Sequence, residues 1–229
     1  MKKVTLSLIV VLSVLANVLY AQEKTEGVSD KKGEVVAPST SMQTFMLAGQ
    51  LAKYGYENNS ASALIQAAEL YLSIGMTELT PESYAQGKGT ETKKDDVVSH
   101  DPKQILSDAK KLAADDKTLL AMIDRLENAK KSRGAVGGAK YATHRVDARS
   151  TDSFKIRFYG NETATVIVSG DGDTDLDLYV YDENDNLVGQ DNDYSDDCVV
   201  TWTPRWTGSF TIKVVNRGYV YNRYIIATN

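Results

Sequence analysis

Cysteine is almost missing from this 229-residue chain: Cys198 stands alone, so no intramolecular disulfide can staple the fold. Histidine occurs only at His100 and His144. Neither belongs to a His-Glu-x-x-His helix, and no Gly-x-Ser-x-Gly elbow exists, which excludes the usual metalloprotease and serine-hydrolase constellations. Beyond Tyr20 no apolar run is long enough to cross a bilayer, so no membrane insertion is expected of the chain after its first segment. Lysine and arginine vanish between Asp171 and Asp197, a stretch holding eleven acidic residues. A nucleic acid would be repelled there, so none is expected as a partner.

What is present starts with export. Lys2 and Lys3 precede an apolar stretch from Val4 to Tyr20, and Ala21 follows it. That layout predicts a cleaved Sec-type signal peptide over 1–21, and so a periplasmic or extracellular protein. An uncleaved anchor fits less well, because the run sits at the lower limit of bilayer thickness. The paired lysines are not a twin-arginine signal, and no cysteine near the cut offers a lipid anchor.

Residues 22–40 are charged, small and aperiodic, and read as a flexible leader. Over 41–131 the apolar residues recur at helical spacing in four segments. Asn59 or Ser60 opens the second, Gly75 closes it, and Asp101-Pro102 pairs a capping side chain with proline at the first helical position. Short links make these two antiparallel hairpins. They share a tetratricopeptide texture without that repeat's Trp, Gly, Tyr and Pro positions. Residues 132–151, opened by Gly134-Ala135-Val136-Gly137-Gly138, read as a linker.

From 152 to 229 the period becomes two: Phe154/Ile156/Phe158, Ala164/Val166/Val168, Leu176/Leu178/Val180, Cys198/Val200/Trp202 and Phe210/Ile212/Val214. Six or seven such strands predict an antiparallel β-sandwich, each sheet with one wet face. The fold class is therefore α+β in two domains, helical hairpins followed by a jelly-roll-like sandwich. Alternation puts Cys198 on the face of Val200 and Trp202, as a buried structural thiol.

At Gly170-Asp171-Gly172-Asp173-Thr174-Asp175-Leu176-Asp177-Leu178-Tyr179 the chain resembles the bacterial pre-peptidase C-terminal domain. The likeness continues at Thr203-Pro204, at Thr207-Gly208-Ser209-Phe210-Thr211, and at Tyr221-Asn222-Arg223-Tyr224. The resemblance implies a sandwich found at the C-terminus of secreted proteins, with roles in substrate binding, secretion or stabilisation. Some relatives bind calcium or collagen. Such domains usually follow a peptidase, whereas here only helices precede it, so proteolysis is not carried over.

Two candidate sites follow. Asp173, Asp175 and Asp177 project to one side of an extended strand, and Asp191, Asp193 and Asp196 form a facing oxygen-rich loop. Ca²⁺ prefers six to eight oxygen ligands, so these six are the candidate metal ligands. Equally, Asp and Asn favour turns for reasons of their own. The turn Asp182-Glu183-Asn184-Asp185-Asn186 imitates the start of an EF-hand loop but lacks its glycine and lies between strands. Trp206, Tyr219 and Tyr221 are the candidate ligand-binding aromatics, for a protein or a glycan. The expected function is an exported, non-enzymatic, calcium-assisted binding or stabilising module. The alternative is a small hydrolase, or its accessory subunit, using the acidic loops.

Overall fold

A computed structural model describes residues 37–90, 98–128 and 139–229. The signal segment, residues 22–36 of the leader and residues 132–138 of the linker lie outside the described residues. The architecture is α+β: four helices lie in the N-terminal part, two short strands fall between the second and the third, and the eight strands that complete two five-stranded sheets follow.

Four helices open the described chain: α1 (Thr40–Glu57), α2 (Ala61–Ser73), α3 (Pro102–Ala113) and α4 (Lys117–Glu127). Each begins on a side chain that accepts from the first turn's N–H groups: Ser39, Ser60, Asp101 and Asp116. Such caps satisfy donors that the helix itself cannot. Gly55, which by residue type suits a left-handed C-terminal cap for α1, lies inside the helix and does not end it. The helix runs on to Glu57, and the turn is made at Asn59, with φ of 48°. Gly75, at φ 67°, does turn the chain after α2.

The strands are β1 (Thr77–Glu78), β2 (Ser83–Ala85), β3 (Lys140–Val146), β4 (Thr151–Phe158), β5 (Ala164–Ser169), β6 (Leu176–Tyr181), β7 (Leu187–Asp191), β8 (Asp197–Trp202), β9 (Gly208–Asn216) and β10 (Asn222–Thr228). One sheet runs β1-β3-β10-β5-β8 and the other β2-β4-β9-β6-β7; only β1 with β3 is parallel. Two expectations are corrected here. The stretch from Thr77 to Val98, rich in Gly, Lys, Thr and Glu, reads by composition as a solvated loop, yet β1 and β2 within it place an edge strand on each sheet. The reading of 132–151 as linker also fails for Lys140–Val146, which pairs along its whole length with β10. Its side chains are mostly half-buried on both faces, so no apolar alternation marks it.

Between the sheets lies a core of Phe154, Phe158, Val166, Leu178, Val180, Val200, Phe210, Ile212 and Tyr224, among others, with Cys198 inside it as expected. The helices do not stand apart from the sandwich. Phe45, Leu64, Ile65, Tyr71 and Ile105 share a second core with Ile167, Ile225 and Ala227 of β5 and β10. The first sheet is therefore covered on both faces, and every residue of β5 is buried. This corrects the expectation of a wet face for each sheet. A sheet buried on both sides reads as a continuous apolar run rather than an alternating one. Gly49 allows the close approach: a Cβ there would meet Ser169 Oγ at 3.0 Å.

Candidate functional site

The chain reversals that connect the strands gather the acidic residues at one end of the sandwich. The turns after β5 (170–175), β7 (192–196) and β9 (217–221) all lie there, as does the 147–150 turn before β4. Gly170 is required in this packing, because a Cβ on it would run into the Asp196 carboxylate and the Asn222 amide. Gly172 takes a φ of 92°.

The six candidate carboxylates do not act as one set. Asp177 sits on the outer face of β6, where its Oδ2 accepts from Arg217 Nε at 2.6 Å and from the Tyr179 hydroxyl at 2.9 Å. Asp196 is buried and bound by Lys53 of α1 at 2.6 Å, while Gly172 N–H and Asn222 Nδ2 donate to its other oxygen. Lys53 also reaches Asp197 at 2.7 Å. Burial would pull the Lys53 ammonium down in pKa, but Asp197 and Asp196 outweigh it and hold the value above the ordinary one. Asp173 and Asp193 are exposed, and Asp193 accepts from Ser195 N–H within its own turn.

Asp175 and Asp191 each keep one buried oxygen, Oδ1, without a hydrogen-bond partner. Burial, and then the nearby Asp177 charge, raise the Asp175 pKa. Asp191 is 2 % exposed and pairs across the strands with Leu178. Directly opposed residues share a face, so Asp191 points into the sandwich. Its Oδ2 accepts from Val199 N–H of the other sheet at 2.8 Å. Burial, reinforced by Asp193 and Asp177, raises its pKa to about 6. Asp177 and Asp191 therefore lie on opposite faces of one sheet. Among the described residues, no three His, Cys, Asp or Glu side chains converge as a metal ion requires.

His100, unremarked by the sequence, links the helices to this end. Its Nε2 lies 2.9 Å from the Gly170 carbonyl and its Nδ1 3.1 Å from the Tyr71 hydroxyl. A carbonyl only accepts, so Nε2 carries the proton and Nδ1 accepts from Tyr71. Burial holds His100 below the usual imidazole pKa.

The aromatic candidates are not brought together. Trp206 precedes β9 and Tyr219 and Tyr221 follow it, and nine residues of strand separate them by about 30 Å. Trp206 is half-buried beside Gly208. Tyr221 is 7 % exposed, with Arg145 and Arg223 at 5.2 and 5.9 Å from its ring. Tyr219 is 78 % exposed, with Arg149 4.2 Å over its ring. Tyr194, missed by sequence reading, is fully exposed at the tip of the β7–β8 turn. The Asp182 turn lies at the far end and satisfies itself: Oδ1 takes the N–H groups of Asn184 and Asn186 and Oδ2 the Asn186 amide.

No family model matches the sequence, and no curated protein matches it. Solved structures similar to it include a periplasmic inhibitor of g-type lysozyme from Aeromonas hydrophila. That chain is 15 % identical with a TM-score of 0.34, over 43 % of this chain and 91 % of the inhibitor. The pre-peptidase C-terminal domain of a Bacillus anthracis collagenase is 12 % identical at TM-score 0.28, over 38 % of this chain and 88 % of that one. A family 16 carbohydrate-binding module is 13 % identical at 0.25, over 36 % and 70 %. At such scores the likenesses carry no functional weight. No described helix is long and apolar enough to cross a membrane.

Proposed function

We propose that this chain is an exported, non-enzymatic recognition module that meets a protein or glycan surface with its loop end. One observation carries the reading: Tyr194 and Tyr219 are 100 % and 78 % exposed on turns of that end. The neighbouring backbone is pinned by Asn222, Asp196 and Lys53. Exposed tyrosines on loops held by a rigid scaffold offer contact area at little entropic cost. The titratable groups support a non-catalytic role, since both His100 nitrogens are engaged and Cys198 is buried. The hydrolase alternative needs two carboxylates flanking one substrate, and Asp177 and Asp191 face opposite ways.

The test uses a sensor surface carrying a strongly basic protein (lysozyme) in one channel and a glycan array in the other. A Tyr194→Ala/Tyr219→Ala double variant is expected to lose binding at least tenfold while its Tm stays within about 2 °C, because neither ring is buried. Unchanged binding by the double variant would remove the loop end from consideration. Hydrolysis abolished by Asp177→Asn at unchanged Tm would establish the hydrolase instead.

Calcium is the second part of the proposal, supported by the orphaned Oδ1 atoms of Asp175 and Asp191. Asp177 and Asp196 are already committed to Arg217 and Lys53. Saturating calcium, at about a hundredfold excess over Kd, would add about 2.7 kcal/mol, roughly 5–10 °C in Tm. Asp191→Asn should abolish that rise. In chelator the same variant should be the more stable protein at pH 7.5, by up to about 3 kcal/mol, because a carboxylate whose folded pKa exceeds its unfolded value opposes folding once ionised. The sign is that wild-type stability from this group grows as pH falls through about 6 towards 4. A Tm indifferent to calcium removes the cation from the proposal.

A further inference from the structure

A cleft of about 760 Å³ lies between the start of α3 and the helix-facing side of the first sheet. Its sheet side carries Thr143, Arg145 and Arg223, and its helical side carries Ser99, Asp101 and Gln104. The strand register makes Arg145 and Arg223 direct cross-strand partners. Like charges directly opposed across two strands disfavour their pairing. Here both guanidinium groups lie against the Tyr221 ring, and Arg145 is also 3.2 Å from Asp147. The arginines remain accessible: the Arg145 side chain is 35 % exposed and Arg223 is exposed.

We infer that this cleft binds an acidic sugar, a uronate unit of a glycan, with its carboxylate on the Arg145–Arg223 pair. Planar guanidinium forks match a carboxylate in geometry as well as charge. The helical wall supplies hydroxyl partners in the Asp101 carboxylate, Ser99 and the Gln104 amide oxygen, the Gln104 amide N–H groups being held by Asp108, and Thr143 adds a hydroxyl from the sheet side. Acidic acceptors beside paired arginines suit an anion with many hydroxyls and disfavour a dense polyanion. The volume lies within the range of small-molecule sites, and takes one or two sugar units. The arginines adjoin the 217–221 turn through Tyr221, but neither Tyr194 nor Tyr219 lines the cleft, so the absence of uronate binding would leave the loop-end reading untouched.

Calorimetric titration of the mature chain with glucuronic and galacturonic disaccharides tests it, with a neutral glucose disaccharide and sulfate as comparison ligands. The uronates should bind at least tenfold tighter than the neutral sugar, and sulfate should compete only weakly. Arg145→Gln and Arg223→Gln should each weaken uronate binding at least tenfold, with Arg223→Lys in between, because it keeps the charge and loses the fork. Melting curves accompany each variant, and Arg223→Lys serves if a Gln variant fails to fold. No uronate binding by the folded wild type, equal binding of the neutral sugar, equal competition by sulfate, or full affinity in the folded arginine variants would each overturn the assignment.

Discussion

Replacing Lys53 by Ala is expected to lower Tm by roughly 6–12 °C, corresponding to a loss of about 3 kcal/mol. The Lys53 side chain is 12 % exposed, and its ammonium lies 2.6 Å from Asp196 and 2.7 Å from Asp197. Removing it leaves two adjacent carboxylates repelling each other, one of them buried. Taking one partner from a buried ion pair costs about 3–5 kcal/mol. The lower end applies because Asp197 is 38 % exposed and water can solvate it. Lys53→Met separates charge from packing: it keeps an apolar stem, and should lose nearly as much. A Lys53→Ala change made on top of Asp196→Asn/Asp197→Asn should cost little. The pH dependence has a definite sign. A lysine whose folded pKa is raised contributes fully below its unfolded value near 10.4, and the contribution disappears as pH climbs through the folded one. From pH 6 to 9 the difference between Lys53→Ala and wild type should therefore be flat. A loss below about 1 kcal/mol would show the contact to be no better than a surface pair.

That contact also marks the limit of what the sequence discloses. Lys53 and Asp196 are 143 positions apart, and no local pattern connects them. The helices were legible because capping is local: Ser60, Asp101-Pro102 and Asp116 announce their own first turns. The strands were legible where one face is apolar and the other not, as in β4 and β9 of the second sheet. Four were not. β1 and β2 hold two and three residues, too few for any period. In β3, Tyr141, Thr143 and Arg145 face the helices while Ala142, His144 and Val146 face the second sheet. Lys140-Tyr141-Ala142-Thr143-His144-Arg145-Val146 thus carries no apolar stripe. β7 ends on an inward carboxylate, Asp191, where the pattern calls for an apolar residue.

The candidate site divides the same way. Residue type identified the acidic end, and alternation placed Asp177 outside the core. Which carboxylates are already matched depends on distant cations, Lys53 for Asp196 and Arg217 for Asp177. The Arg145–Arg223 pair exists only through the β3–β10 register. Sequence spacing of 78 residues says nothing about it.

The same hidden register sets the second large effect, at Asp152. This carboxylate is fully buried and accepts from the Tyr224 hydroxyl at 2.7 Å, the Tyr84 hydroxyl at 3.1 Å and the Gly87 N–H at 3.0 Å. Tyr84 belongs to β2, so Asp152 fastens the edge strand and the segment after it to β4 and β10. Asp152→Ala strands the Tyr224 hydroxyl in the core and unties Gly87. Each buried donor left without a partner costs about 1–3 kcal/mol. Tyr84, 37 % exposed, can turn to water. Burial raises the Asp152 pKa despite its three donors, so deleting the charge returns part of the loss. The net expectation is about 3 kcal/mol, with Tm down by roughly 6–12 °C. Asp152→Asn should cost less, since its amide oxygen still accepts. The discriminating measurement is amide exchange: in Asp152→Ala, Tyr84 and Ala85 should exchange faster by more than the global loss of stability explains, while β6 and β9 follow the global change. Equal acceleration throughout would mean that Asp152 supports the core as a whole and does not fasten β2.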